Sequence, residues 1–297
     1  MENRTIDYRD IKIISPYEIL SLHKLEIVAC TNEHVKLSYT AVISEDKKDE
    51  YVTGSKHTDK IEIRQVQDGN FIRTLFIGQL YDIAVNARNN KYYLTVEAIS
   101  YTYDMDIERK RRSYQTPYMA YDAMTQSVVN SYNSSDFFPM IGKGEPINIF
   151  TLQYDETDWE FLKRMASRFG SVLVPEGRHS SPKFWFGLPE GDNFDLEKTS
   201  YTITKALKPY RDSKENHKIN VNESSFTIYE IETPIYMYLG DNVTINHVKT
   251  KVSRAIMIME NGVLQFRYTL MPKEGIRQEL IRNPRITGLS LEGTVIG

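Results

Sequence analysis

Leu152-Gln153-Tyr154-Asp155-Glu156-Thr157-Asp158-Trp159-Glu160-Phe161-Leu162-Lys163-Arg164-Met165-Ala166-Ser167-Arg168-Phe169-Gly170 spells out a strand, a helix start and a helix stop in succession. Thr157 followed three residues later by Glu160 is a capping box, in which each side chain satisfies a backbone donor that the first helical turn leaves unpaired. Trp159, Leu162, Ala166 and Phe169 then recur at spacings of three and four, the signature of one apolar helix face. Lys163, Arg164 and Arg168 fall in the later turns, where cations offset the negative helix end. Gly170 ends the helix as a left-handed cap.

Outward from this helix the chain turns to strands on both sides. Upstream, Leu25 to Cys30, Val35 to Ala41, Lys60 to Val66, Arg73 to Tyr81 and Lys91 to Tyr101 are β-branched or aromatic runs, divided by turns such as Asp68-Gly69-Asn70 and Arg88-Asn89-Asn90. Pro16 to Leu22 reads as a short helical turn, and Ser44 to Lys60 as a charged, solvated loop. Downstream of about Thr202, strands return at Ser225 to Ile231, Asn242 to His247, Lys249 to Glu260 and Gly262 to Met271. Glu260-Asn261-Gly262 is a hairpin signal, because Asn-Gly supplies the positive φ angles of a type I′ turn. Between these β regions lie a helix opened by Pro117 and running to Tyr132, the Asn133 to Pro146 loop, and strands at Ser171 to Val174 and Lys183 to Leu188.

The expected fold is therefore mainly β with a smaller α/β portion: two small tube-like β-barrel domains flanking a middle α/β domain. The expected boundaries are 1–108, 109–201 and 202–297.

Length, charge and cysteine usage narrow the function. With 297 residues the chain is long enough for more than one core. A net charge of −3 gives no global pull toward nucleic acid or anionic membrane. A single cysteine, Cys30, excludes an internal disulfide framework and reads as a small buried hydrophobe. The amino terminus lacks the basic-then-apolar layout of a signal peptide, and no run approaches the ~18 apolar residues of a membrane helix. The expectation is synthesis in the cytoplasm, with no membrane insertion by this chain.

Catalysis finds no residues to stand on. Asp155, Glu156, Asp158 and Glu160 crowd four carboxylates together, and paired carboxylates are what glycoside hydrolysis needs. Acidic residues around a first helical turn are also what the helix end itself favours, and capping is the better reading. Asp192, Asp195 and Glu197 scatter across a turn. None of the six histidines has metal-ligand spacing, and Gly142-Lys143-Gly144 lacks the context of a phosphate loop. No cofactor and no metal are expected. Arg109-Lys110-Arg111-Arg112 is the one dense basic run; with Tyr101, Tyr103 and Tyr114 nearby it could grip phosphates, although a solvated linker or an ion-pair cluster is the plainer reading.

The ordered set of short motifs resembles the contractile-tail baseplate hub family, that is, the phage late-control protein D family and the hub half of the type VI secretion spike protein VgrG. Gln153, Tyr154, Thr157, Trp159, Glu160, Phe161, Leu162, Arg164 and Gly170 are similar to that family's middle segment. Phe76 and Gly78 resemble its F-x-G strand, Tyr93 to Val96 its next strand, and Arg111 to Gln115 its R-x-F-Q step. Gly240 and Asp241 resemble its G-D-x-V strand. The likeness covers roughly residues 70 to 297, while the first seventy residues match only in being strand-rich.

The resemblance implies a trimer whose two barrels per chain seat a six-fold tail tube. Expected partners are the chain itself as a homotrimer, the tail tube protein, the spike protein or a C-terminal spike domain, and other baseplate proteins. Nucleic acid enters only as lumen cargo, and Arg109 to Arg112 would face a neighbouring subunit or the lumen. The product would assemble into a phage tail or tail-like particle. Thr287 to Gly297 ends on what reads as the start of another strand, which points to a hub piece of a longer hub-spike protein or to a contact with a separate spike. The alternative is a β-rich nucleic-acid- or glycan-binding module using residues 109–112 and exposed tyrosines.

Overall fold

The computed structural model describes residues 6–215, 221–260 and 262–290. The first β region comprises β1 (Ile6–Asp7), β2 (Ile11–Ile14), β3 (Ser21–Cys30), β4 (Lys36–Ile43), β5 (Lys60–Gln67), β6 (Asn70–Arg88) and β7 (Lys91–Ser100), with the short helix α1 (Glu50–Gly54) between β4 and β5. The mixed region holds β8 (Arg109–Tyr114), α2 (Tyr121–Val129), β9 (Asp136–Pro139), β10 (Thr151–Thr157), α3 (Asp158–Ser167), β11 (Leu173–Pro175) and β12 (Lys183–Phe186). The second β region contains β13 (Asn193–Asp195), β14 (Tyr201–Lys205), α4 (Leu207–Glu215), β15 (Thr227–Thr233), β16 (Asn242–Ile245), β17 (Val248–Glu260) and β18 (Val263–Met271).

Alternation decides which face each strand buries. Leu37, Tyr39, Ala41 and Ile43 of β4 and Leu94, Val96 and Ala98 of β7 point into one core, while the residues between them stay at least partly exposed. Phe266, Tyr268 and Leu270 of β18 do the same on the other side. The chain is mainly β with a smaller α/β part, as its sequence led us to expect. The two β regions are not separate, however. Thirteen strands form one sheet, joined where β17 runs antiparallel to β3, from Arg254 opposite Cys30 to Met259 opposite Leu25. One continuous apolar core serves both regions, and a second, built from Met124, Trp159, Phe161, Leu162 and Phe184 among others, serves the mixed region.

β6 belongs to two pairings in turn. Residues Asn70 to Gln79 pair with β5, and residues Gly78 to Arg88 pair with β7. At the crossover a Cβ on Gly78 would lie 2.4 Å from both the Ile99 carbonyl oxygen and the Phe76 ring. Only glycine fits there, which explains the Phe76-x-Gly78 pattern as a sheet corner.

Several expectations need correction. Pro16 to Leu22 is not helical: its bends lead straight into β3. Pro117 does not open a helix; α2 starts at Tyr121, because Met119, Ala120 and Tyr121 are held by bonds to residues 145–147. The charged segment after Ser44 is partly ordered by α1, whose Tyr51 is buried and donates to the Glu18 carbonyl at 3.3 Å. The loop from Asn133 contains β9, which pairs in parallel with β12. Cys30 is only half-buried, because it sits on the outward face of β3. His247 is not in a strand: Asn246 and His247 both have positive φ and form the turn between β16 and β17. At the other hairpin Glu260 pairs with Val263 and Gly262 has φ +79°, while Asn261 lies outside the described residues. The strand expected near the carboxyl end falls on residues 291–297, also outside them.

Candidate functional site

The helix α3 is capped as its sequence requires: the Glu160 amide donates to Thr157 Oγ1 at 3.1 Å and the Thr157 amide to Glu160 Oε2 at 3.0 Å. Gly170 follows with φ +61°. Trp159, Phe161 and Leu162 are fully buried, and Phe161 stacks on Tyr114 with ring centroids 5.6 Å apart.

Two of the four clustered carboxylates do something the sequence did not show. Asp158 is completely buried. Lys110 donates to it at 2.9 Å, Tyr132 at 2.7 Å and Gln153 at 2.8 Å, and Arg112 pairs with it as well. Burial alone would raise this carboxyl; the hydrogen bonds from Gln153, Tyr132, Lys110 and Arg112 hold it below the ordinary carboxylate value. Glu156 is held by buried Arg164 through two bonds of 2.7 Å, and Arg164 also donates to the Leu152 carbonyl at 2.6 Å. Arg164 thus acts inside the fold, tying the helix to β10, rather than at the helix end. Asp155 has φ +52° at a bulge in β10. Its carbonyl accepts from Arg109 at 2.7 Å and from Arg285 at 3.1 Å.

The basic run is β8, which pairs with β10 in a two-stranded sheet apart from the large one. Its alternation sends Lys110 and Arg112 inward to Asp158. Arg109 and Arg111 lie at the surface, Arg109 3.6 Å from Glu160 and Arg111 4.9 Å above the Tyr154 ring. Gln115 is exposed just past the strand. Phe76 is fully buried. Gly240 turns the chain with φ +86° against Pro189, and buried Asp241 accepts the amides of Tyr238 and Asp192 at 2.7 and 2.9 Å. Burial raises the Asp241 carboxyl.

A junction centred on His34, which no sequence motif marked, joins the first β region to α3. The Trp159 indole donates to the Asn32 carbonyl at 3.1 Å, and the His34 ring lies 4.8 Å from that indole. His34 contacts Thr102 at 2.9 Å and Asp106 at 3.2 Å, and Asp106 in turn accepts from Thr157. Burial lowers the imidazole below its ordinary value, against the opposing pull of Asp106 and with Lys163 and Lys36 adding to the depression. Because the folded value is below the unfolded value of ~6.5, His34 contributes stability that is full above that pH and lost as pH falls through the folded value. Melting temperature is expected to drop between pH 7 and pH 5, and a His34→Gln variant to flatten that part of the curve.

Among the described residues no three His, Cys, Asp or Glu side chains are grouped to hold a metal, and no helix is long and apolar enough to cross a membrane.

The large sheet carries the most telling geometry. Eight of its strands run in the order β14-β15-β18-β17-β3-β4-β7-β6, each antiparallel to the next. β14 pairs with β15 alone, and the Tyr81 to Arg88 half of β6 pairs with β7 alone, so among the described residues each end of the row has an unpaired edge. Tyr201 and Ile203 of β14 are 39% and 53% exposed, and Ile83 and Val85 on β6 are half-buried. Such edges are usually shortened, charged or covered.

No protein-family model matches the sequence, and no curated protein matches it significantly. Solved structures do match the fold. The c3393 protein of E. coli, a type VI secretion component described as similar to bacteriophage T4 tail proteins gp27 and gp5, superposes with a TM-score of 0.65 at 12% identity, over 92% of this chain and 81% of that one. The 43 kDa tail protein of prophage MuSo2 from Shewanella oneidensis gives 0.65 at 9% identity, over 91% and 99%. The Francisella PdpA–VgrG complex gives 0.52 at 8% identity, over 92% and 59%. The fold is thus that of phage tail and type VI spike proteins.

Proposed function

We propose that this chain is the structural hub of a contractile injection apparatus, three copies closing a ring that joins a hexameric tail tube to a trimeric spike. The observation that carries the reading is the eight-strand row with an open edge at each end. An even number of alternating strands makes β14 of one copy antiparallel to β6 of the next, so head-to-tail pairing continues the sheet. Heterologous contacts of this kind form a closed ring when the rotation returns to the start. Tyr201 and Ile203 would then cover Ile83 and Val85 of the neighbour. The two β regions of each chain give six similar units around a three-fold axis, matching a six-fold tube.

In this reading the domains are 1–108, 109–201 and 202–297, the chain is non-enzymatic, and it works inside a phage tail or tail-like particle beside tube, spike and other baseplate proteins. The solved relatives named above support it: one is a type VI secretion component, another a prophage tail protein. Lys110 and Arg112 are occupied by Asp158, which disfavours the nucleic-acid-binding alternative. Light scattering on the purified chain of 34.6 kDa is expected to give three times the monomer mass at both low and high salt. A monomer that stays monomeric when tube and spike proteins are added would overturn the proposal.

A further inference from the structure

We propose that the slot between β2 and the first half of β3 is a strand-addition site for an extended tail of a separate polypeptide, apolar on alternate residues and carrying a carboxylate. The site uses neither β14 nor the free half of β6, so it stands whether or not the ring forms.

The strands β2-β5-β6-β7-β4-β3 form a six-strand row, each antiparallel to the next. Its two ends do not meet. β2 pairs with β5 alone, and Ser21 to Lys24 of β3 lie against β4 alone, because β17 joins β3 only from Leu25 onward. Both ends nevertheless line one cavity of about 750 Å³, with Ile11, Lys12 and Ile13 on one side and Leu20, Ser21 and Leu22 on the other. Consecutive strand residues point to opposite faces, so a cavity that touches three in a row abuts the edge of the strand. The slot is thus bounded by two strand edges, and among the described residues no strand lies beside either of them there.

Length and volume agree. Each edge runs four residues, Ile11–Ile14 and Ser21 to Lys24. A strand in a sheet occupies roughly 3.3 Å by 4.8 Å by 10 Å per residue, or about 160 Å³, so the cavity holds about four to five residues.

A strand placed here bonds through its backbone on both sides, parallel to one edge and antiparallel to the other, since the alternation of the row leaves β2 and β3 antiparallel. Such a strand cannot already belong to a sheet. Every described strand of this chain is paired on at least one side, which excludes the strands of a second copy and leaves a free tail. A small apolar ligand is excluded as well, because it would strip water from both edges without replacing the lost hydrogen bonds. Side chains set the rest of the specificity. Ile11, Ile13 and Leu22 are half-buried against the core and Leu20 is 70% exposed, so apolar residues on alternate positions of the tail cover them. Arg9 is held by Asp7 at 2.6 Å, whereas Lys12 has no ion pair among the described residues, which leaves it to take a carboxylate.

A fluorescent octapeptide library, with Val, Ile, Leu or Phe on alternate residues and Thr, Ser, Glu or Lys between them, tests the site by anisotropy against the full chain. The tightest members are expected to carry glutamate. N-methylation of alternate backbone amides in the best member is expected to weaken binding at least about tenfold, through the loss of one or two backbone bonds. Leu20→Asp, at an exposed position that spares the fold, is expected to do the same, and Lys12→Glu to turn the preference from glutamate to lysine. Exchange of the amides in 11–14 and 21–24 is expected to slow at least about tenfold on binding. A library with no member tighter than about 1 mM, or binding indifferent to both N-methylation and Leu20→Asp, overturns the site. A glutamate preference that survives Lys12→Glu overturns the carboxylate. Peptides copying residues 1–8 and 288–297 run beside the library, and if either binds more tightly than its best member, the occupant is this chain and the separate polypeptide is overturned. Ring and monomer are expected to bind the peptides alike, so a failure here leaves the hub proposal untouched.

Discussion

Asp158→Ala is expected to lower the unfolding free energy by about 3–5 kcal/mol, because it leaves Lys110 and Arg112 with uncompensated, partly buried charges. The side chain has no exposed surface, and three of its partners come from elements well separated in sequence: β8 supplies two and the segment after α2 supplies Tyr132. Removing it should therefore loosen β8 from α3 as well as cost energy. The sign with pH follows from the same geometry. The folded carboxyl titrates below its unfolded value of ~3.9, so its stabilisation is present above that pH and lost as pH falls through the folded value. Urea unfolding at pH 7 and pH 3 checks both points: the gap between wild type and Asp158→Ala should narrow in acid. A loss below about 1 kcal/mol at pH 7 would mean the network behaves like a solvated surface cluster.

Ile203→Lys is expected to abolish the ring while sparing the monomer. Ile203 is already half-exposed on a strand paired on one side only, so a lysine there costs the isolated chain little. In the proposed seam the same lysine would meet Ile83 and Val85 of the next copy, where an unpaired charge costs several kcal/mol per contact and weakens association at least about 100-fold. Val85→Lys on the opposite edge should also block the ring, at a cost to the monomer, because Val85 packs against the core. Light scattering reads the assembly and a thermal melt reads the monomer. A variant that remains trimeric with an unchanged melt would remove β14 and β6 from the interface.

Much of the local structure was legible because it is written in short-range chemistry. Thr157 and Glu160 cap the helix they announce, and Gly170 ends it. The strands from Leu25 to Ser100 emerge close to their apolar alternation, except that β6, read as ending at Tyr81, runs on to Arg88. The short strands β1, β2, β9 and β13 were missed, since two to four residues carry too little periodicity to be seen, and β8 was read as a linker or ion-pair cluster rather than a strand. α4 was missed as well, lying where the chain was read as returning to strands. Asp158 was misread as a capping charge for a different reason. Its neighbours in sequence describe a helix start, while its partners Lys110 and Arg112 lie 48 and 46 positions away.

By itself the sequence determined the capped helix α3, most of the longer strands, the mixed region between two β regions, and a resemblance to tail hubs in its ordered motifs. These depend on contacts a few residues apart or on the period of each strand. The tertiary structure alone decided that β3 and β17 fuse the two β regions into one sheet, that half of the basic run turns inward to a buried carboxylate, and that β6 and β14 are left as open edges. Strand pairing and burial of charge are set by which distant surfaces meet when the core closes, and nothing in the local pattern of a strand records its neighbour.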